Sequence, residues 1–195
     1  MDKKEIQAYF DKLAPKWDET LVHNDAVIAD ILAGAEIGPG QSVLDVACGT
    51  GVLVPDYLSR GAASVTGVDL SPAMIAEAEG KFHDPRVCFV CADAETAAFG
   101  ERFDRIVVYN ALPHFPDPGR LIARLAELLQ PGGILSIAHG MSRAQIDRRH
   151  EGGASAVSRG LMDEHALAAL FAPHLTVTVC RSTDRLYQVS GRRDA

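Results

Sequence analysis

The chain is poor in several things that mark other classes of protein. Cysteine is scarce, with four in 195 residues, too few for the disulfide framework of a secreted mini-protein. Two of the four form a CxxC, Cys88 and Cys91, but in the strand-like run VCFVCADAE residues three apart face opposite sides. They read as ordinary buried thiols, and no metal is expected. No uninterrupted apolar run approaches the roughly 20 residues that cross a bilayer, so no membrane is expected as partner. The opening MDKKEIQAYFDK is polar and amphipathic, without the apolar centre of a signal peptide, and the expected location is the cytoplasm. Basic residues are outnumbered, 19 Lys and Arg against 26 Asp and Glu, for a net charge of −7. That balance opposes strong attraction to a phosphate backbone, so nucleic acid is not expected as substrate. There is no internal repeat and no low-complexity tract.

What is present fits one domain, since a chain of this length with 47% hydrophobic residues can bury one substantial core. An amphipathic helix around Lys3 to Leu13 breaks at Pro15, and a second helix starts from Asn24 as N-cap and runs to about Ala35. Strand runs then alternate with helical segments. Strands are expected near Ser42 to Ala47, Ser64 to Asp69, Val87 to Cys91, Arg105 to Tyr109 and Ile134 to His139. Helices are expected near Leu53 to Arg60, Pro72 to Lys81 and Gly119 to Leu129. This alternation means an α/β fold, a Rossmann-like doubly wound sheet with helices on both faces. After a helix from about Asp163 to Phe171, the runs Leu175 to Arg181 and Leu186 to Ser190 are too close for a crossover, so the sheet should end in an antiparallel hairpin.

The stretch VLDVACGTG, Val43 to Gly51, joins a buried strand to a glycine turn with a carboxylate at the junction. Gly49 and Gly51 permit a sharp turn and close backbone approach to a ligand. Asp45 would repel a dinucleotide's pyrophosphate but attract a cofactor that carries an ammonium and a sulfonium and no phosphate, such as S-adenosylmethionine. Asp69 ends the next strand, well placed to accept from ribose hydroxyls. A dinucleotide GxGxxG starting at Gly49 would need a small third residue, and Val54 stands there.

Over about residues 40 to 140 the chain resembles the class I S-adenosylmethionine-dependent methyltransferases. VLDVACGTG resembles the family's first motif, with Ala47 in place of the more frequent glycine, and GVDLSPAMIAEAE its second strand and helix. CADAE, FDRIVVYNALPHF and LLQPGGILSIAHG resemble the later strands and the PGG turn. The resemblance implies a seven-stranded sheet, mostly parallel. It implies S-adenosylmethionine held by Asp45, Ala47, Gly49, Gly51, Asp69, Leu70, Met74, Asp93, Ala94 and Asn110, with Leu70 and Met74 flanking adenine and Asp93 meeting its amine. YFDKLAPKWDE, from Tyr9 to Glu19, is similar to the start of the quinone C-methylating group, where the segment folds over the cofactor. Tyr9, Phe10 and Trp17 are the implied lid residues. The implied organisation is a lid segment (1–37), a cofactor core (38–140), a cap insertion (141–162) and a C-terminal helix and hairpin (163–195).

The implied reaction is transfer of a methyl group to an O, N, S or C atom of a small molecule, by alignment and exclusion of water. His114, His139 and His150 are the candidate bases, because an imidazole titrates near neutral pH. His150 sits in a cap helix, SRAQIDRRH, expected to be capped by Ser142 and Gln145. YNALPH after the fourth strand is not the NPPY-like tetrapeptide of nucleic-acid and protein-glutamine N-methyltransferases. Two alternatives stand beside this reading: a module that binds the cofactor without turnover, and a nicotinamide-dependent oxidoreductase. A monomer or a homodimer is compatible with the sequence.

Overall fold

The computed structural model describes residues 2–150, 157–158 and 160–195, the side chains of 147–150 excepted. Asp2 caps the first helix, α1 (Lys3–Leu13), by accepting from the Lys4 amide at 3.1 Å. Pro15 then forces a 3₁₀ turn, Ala14–Lys16, before the short α2 (Trp17–Thr20). Asn24 caps α3 (Asp25–Gly34), its side chain accepting from Val27 N at 3.2 Å. Val27, Ile28, Ile31 and Leu32 form one buried stripe on that helix, and tertiary burial holds it in place.

The sheet follows the expected alternation. Its elements are β1 (Ser42–Val46), α4 (Val54–Ser59), β2 (Ser64–Asp69), α5 (Pro72–Lys81), β3 (Val87–Cys91), β4 (Phe103–Tyr109), α6 (Pro118–Glu127), β5 (Leu129–His139), α7 (Arg143–His150), α8 (Glu164–Phe171), β6 (Thr176–Ser182) and β7 (Tyr187–Arg192). The strand order is β3-β2-β1-β4-β5-β7-β6. The first five strands are parallel, and β7 runs antiparallel to both β5 and β6. The reversal of order between β1 and β4 is the switch point at which open α/β sheets take their ligands.

Central β1 reads as continuous apolar sequence because both of its faces are covered. Leu44 and Val46 belong to a core shared with α6 and α8, while Val43 packs in a second core with α3 and α4. On α6, Asp117 caps the helix, Pro118 takes the first turn, and Leu121, Ile122 and Leu125 are fully buried. Each such side chain contributes about 1.5–3 kcal/mol of transfer free energy.

Two expectations are corrected. β5 starts at Leu129, five residues earlier than the apolar run, because Leu129 pairs with Phe103 before a register shift and the PGG turn lies inside the strand. Cys88 and Cys91 are exposed, because β3 is the edge strand and has a neighbour on one side only.

The expected cap helix is present as α7. Ser142 N donates to Gln145 Oε1 at 3.0 Å and Gln145 N donates to Ser142 Oγ at 3.3 Å, a reciprocal capping box. No helix among the described residues is long and apolar enough to cross a membrane.

Candidate active site

The C-terminal ends of β1, β2 and β4, with the segment after β3, open into a cavity roofed by α1 and α2. Three acidic residues mark its floor: Asp45 in β1, Asp69 at the end of β2, and Asp93 just beyond β3.

The loop after β1 is held by backbone geometry. Ala47, Gly49 and Gly51 all have left-handed φ, at 56°, 56° and 80°. This costs a glycine nothing and an alanine about 1 kcal/mol. Gly49 N donates to Asp69 Oδ2 at 2.9 Å, and Cys48 N donates to the Val68 carbonyl at 3.1 Å, so the loop is fastened to the end of β2. The other Asp69 oxygen accepts from Ser71 N at 2.9 Å. Burial pushes the Asp69 pKa up although these amides favour its charge.

Asp45 is 2% exposed and is pushed up to about 8, first by burial; the nearby Tyr57 hydroxyl opposes the shift and the Asp69 charge adds to it. Neither Asp45 Oδ2 nor the Tyr57 hydroxyl has a hydrogen-bond partner of acceptable geometry. A buried carboxyl with an unused oxygen on a cavity wall is suited to a cationic ligand, which restores its charge.

Leu70, Met74, Ala94 and Asn110 line the cavity. Asn110 has φ 55° and its Oδ1 accepts from Gly140 N at 2.9 Å, tying the end of β4 to the end of β5. Trp17 lines the roof, with its indole nitrogen 3.8 Å from where a side chain on Gly49 would begin. Phe10 also lines it and makes edge contacts with Trp17, at 5.8 Å between ring centroids, and with His114, at 4.9 Å.

His114 faces the cavity, and its Nδ1 lies 2.8 Å from the Val157 carbonyl. A carbonyl only accepts, so the neutral ring carries its proton on Nδ1 and its basic lone pair on Nε2.

Four expected site residues stand elsewhere or undescribed. Tyr9 is absent from the cavity wall and contacts Phe10 edge-on at 5.3 Å; the helix turns Phe10 inward in its place. Gly51 is absent from the wall as well, and its role is in packing, since a Cβ there would lie 2.7 Å from Phe82. His139 is 2% exposed and outside the cavity. The period of two puts it on the face of Leu135 and Ile137, in edge contact with Tyr187 at 6.0 Å. The side chain of His150 lies outside the described residues. Arg143, its helix partner, is paired with Asp163 at 3.2 Å.

Lys3 and Glu95 are charged residues of the cavity wall that sequence reasoning missed. Lys3 donates to Asp93 Oδ2 at 2.5 Å and is also paired with Glu95, whose side chain is 3% exposed. Only the acidic motif CADAE hinted at this; the partner lies some ninety positions away.

A family model described as a methyltransferase domain matches residues 43–133. Malonyl-[acyl-carrier protein] O-methyltransferase of Acetivibrio thermocellus is 28% identical over 141 residues, 71% of this chain and 50% of that protein. Demethylmenaquinone methyltransferase of Renibacterium salmoninarum is 32% identical over 152 residues, 71% of this chain and 60% of its own length. The chain thus spans about half the length of the curated relatives it matches. Among solved structures, magnesium protoporphyrin IX methyltransferase of Synechocystis with bound SAH superposes with a TM-score of 0.73 over 100% of both chains at 19% identity. An S-adenosylmethionine-dependent methyltransferase of Mesorhizobium loti gives 0.73 over 87% of this chain and 99% of that one, again at 19%. These two likenesses speak for the fold. The matched stretch runs from β1 into β5, over the turns that build the cavity floor, and it is there that the chain is similar to S-adenosylmethionine-dependent methyltransferases.

Proposed function

We propose that this protein binds S-adenosylmethionine and transfers its methyl group to a small-molecule acceptor. The observation that carries the reading is Asp45, a buried carboxyl with an unpartnered oxygen on the cavity wall beside a left-handed glycine loop. A carboxyl so placed suits the ammonium of the cofactor's amino-acid end, and Asp69 suits the ribose. Asp93, Leu70 and Met74 would take the adenine.

S-adenosylmethionine supplies a methyl on a sulfonium, a leaving group already activated. The protein's task is alignment, dryness and removal of a proton where the acceptor carries one. Phe10 and Trp17 exclude water from the roof, and their aromatic faces suit a sulfonium. His114, with its basic nitrogen on Nε2, is the proton acceptor for a phenol, thiol or amine. The name of the Renibacterium salmoninarum relative, a demethylmenaquinone methyltransferase, supports a small-molecule acceptor. The net charge of −7 supports the same choice over nucleic acid. The reading makes the protein a cytoplasmic monomer or homodimer.

The test is calorimetric titration with S-adenosylhomocysteine, followed by a screen of phenols, thiols and amines for methyl transfer. Tight binding and turnover of one acceptor are expected; no binding by the intact protein overturns the reading.

A further inference from the structure

The roof is attached to the floor at three points, one on each loop of the cofactor floor. Asp18 Oδ1 accepts from Thr50 Oγ1, in the loop after β1, at 2.6 Å, and its Oδ2 pairs with Lys81 at 2.6 Å. Asp11 Oδ1 accepts from Ser71 Oγ, after β2, at 2.5 Å, and from Ala73 N at 3.3 Å. Lys3 pairs with Asp93 and Glu95, after β3. The first two fastenings lie beside the floor's acidic residues, whereas the third is made directly on Asp93.

Lys3 is the fastening whose loss has the largest consequence. Glu95 is almost fully buried, and among the described residues the other cation paired with it is Arg120, at 3.9 Å. Without Lys3 two carboxylates two residues apart share one loop, and one of them is out of water. Burial works against the Lys3 charge, but hydrogen bonds to Asp93 and Glu95 outweigh it and raise its pKa above the ordinary lysine value. Lys3 also lines the cavity, so a ligand filling that end meets the latch itself.

We infer that Lys3 is an ionic latch on α1 whose release from Asp93 and Glu95 gates exchange of the cofactor. The inference rests on the cofactor reading proposed above. With the latch closed, α1 covers the Asp93 end of the cavity; with it open, α1 lifts and ligand passes in either direction. A gate changes rates in both directions and leaves affinity nearly constant, whereas a direct ligand contact changes affinity through the dissociation rate.

The chain's single tryptophan, Trp17, lies in the roof and reports the event by fluorescence. The experiment is stopped-flow association and dissociation of S-adenosylhomocysteine with the intact protein, Lys3→Met and Lys3→Arg, at low and high salt. Lys3→Met should raise both rates about tenfold, association as well as dissociation. Salt should accelerate exchange more in the intact protein than in Lys3→Met, which keeps, among the described residues, only the Asp18–Lys81 ion pair on the roof, and Lys3→Arg should behave as the intact protein. Hydrogen exchange of residues 3–13 in the unliganded proteins reads the latch without cofactor, and should rise in Lys3→Met. Rates within twofold of the intact protein, or a Kd change carried by dissociation alone, overturn the latch while leaving the cofactor site standing. Failure of the intact protein to bind S-adenosylhomocysteine overturns the site and the gate together.

Discussion

The Gly49 amide and the Asp69 carboxylate are joined by one 2.9 Å hydrogen bond, and through it the loop after β1 and the end of β2 form a single unit. One carboxylate thus fixes the loop through Oδ2, caps the start of the next turn through Ser71 N, and lines the cavity. Asp69→Ala removes all three at once. The expected result is a loss of S-adenosylhomocysteine affinity of about 100-fold or more, with a drop in Tm of several degrees from the two orphaned amides. Calorimetry and thermal melts measure the two effects separately. Unchanged affinity would show that Asp69 serves the loop alone.

Asp45 couples cofactor binding to pH. Its folded pKa, about 8, lies far above the ordinary carboxyl value, so the fold favours the protonated form. Stability from that preference is fully present below pH 4 and is lost as pH rises through 8. Asp45→Asn should therefore stabilise the unliganded protein, and by more at pH 8 than at pH 5. The same variant should bind S-adenosylhomocysteine poorly. In the intact protein the incoming ammonium ionises Asp45, so affinity should rise as pH approaches 8 and binding should release a proton. Calorimetry in buffers of different ionisation enthalpy measures that proton directly, and a binding heat independent of buffer refutes the coupling.

Much of this was legible because it is local. The five parallel strands, the Asn24 cap, the Ser142 and Gln145 capping box and the loop from Asp45 to Gly51 follow from residues that are neighbours in sequence. What the sequence concealed depends on direction or distance. Whether Tyr9 or Phe10 faces inward depends on the rotation of α1, set by Lys3 and Asp11 finding partners beyond sequence range. His139 stands at the end of its strand's apolar run much as His114 comes after β4, but it is still within β5, so strand parity sends it into the core, whereas His114 lies past its strand in a short turn, Leu112–His114.

Ala47 occupies a left-handed conformation that suits glycine, so Ala47→Gly should stabilise the protein by about 0.5–1 kcal/mol with cofactor affinity retained. The reverse exchange nearby is expected to do the opposite. Gly51→Ala sets a Cβ 2.7 Å from the Phe82 ring at φ 80°, and should destabilise by about 2 kcal/mol or more. Denaturant midpoints of the two variants give both signs, and a loss of stability in Ala47→Gly counts against the strain.

The two histidines separate catalysis from packing. His114 faces the cavity with its Nδ1 fixed by the Val157 carbonyl, whereas His139 is buried against Tyr187. With an acceptor that must lose a proton, His114→Gln should lower kcat by about 100-fold and remove the inflection that a general base gives the pH profile of kcat, leaving S-adenosylhomocysteine affinity close to normal. With an acceptor that has no proton to lose, the same variant should turn over nearly as fast as the intact protein. His139→Gln should do the reverse, costing about 1–3 kcal/mol of stability and leaving the pH profile of kcat in place. If His139→Gln abolishes the inflection and His114→Gln keeps it, the base is wrongly assigned and the geometry of β5 has been misread. If neither moves it, alignment and dryness carry the reaction, and Phe10→Ala, which opens the roof beside His114, becomes the substitution that lowers kcat most.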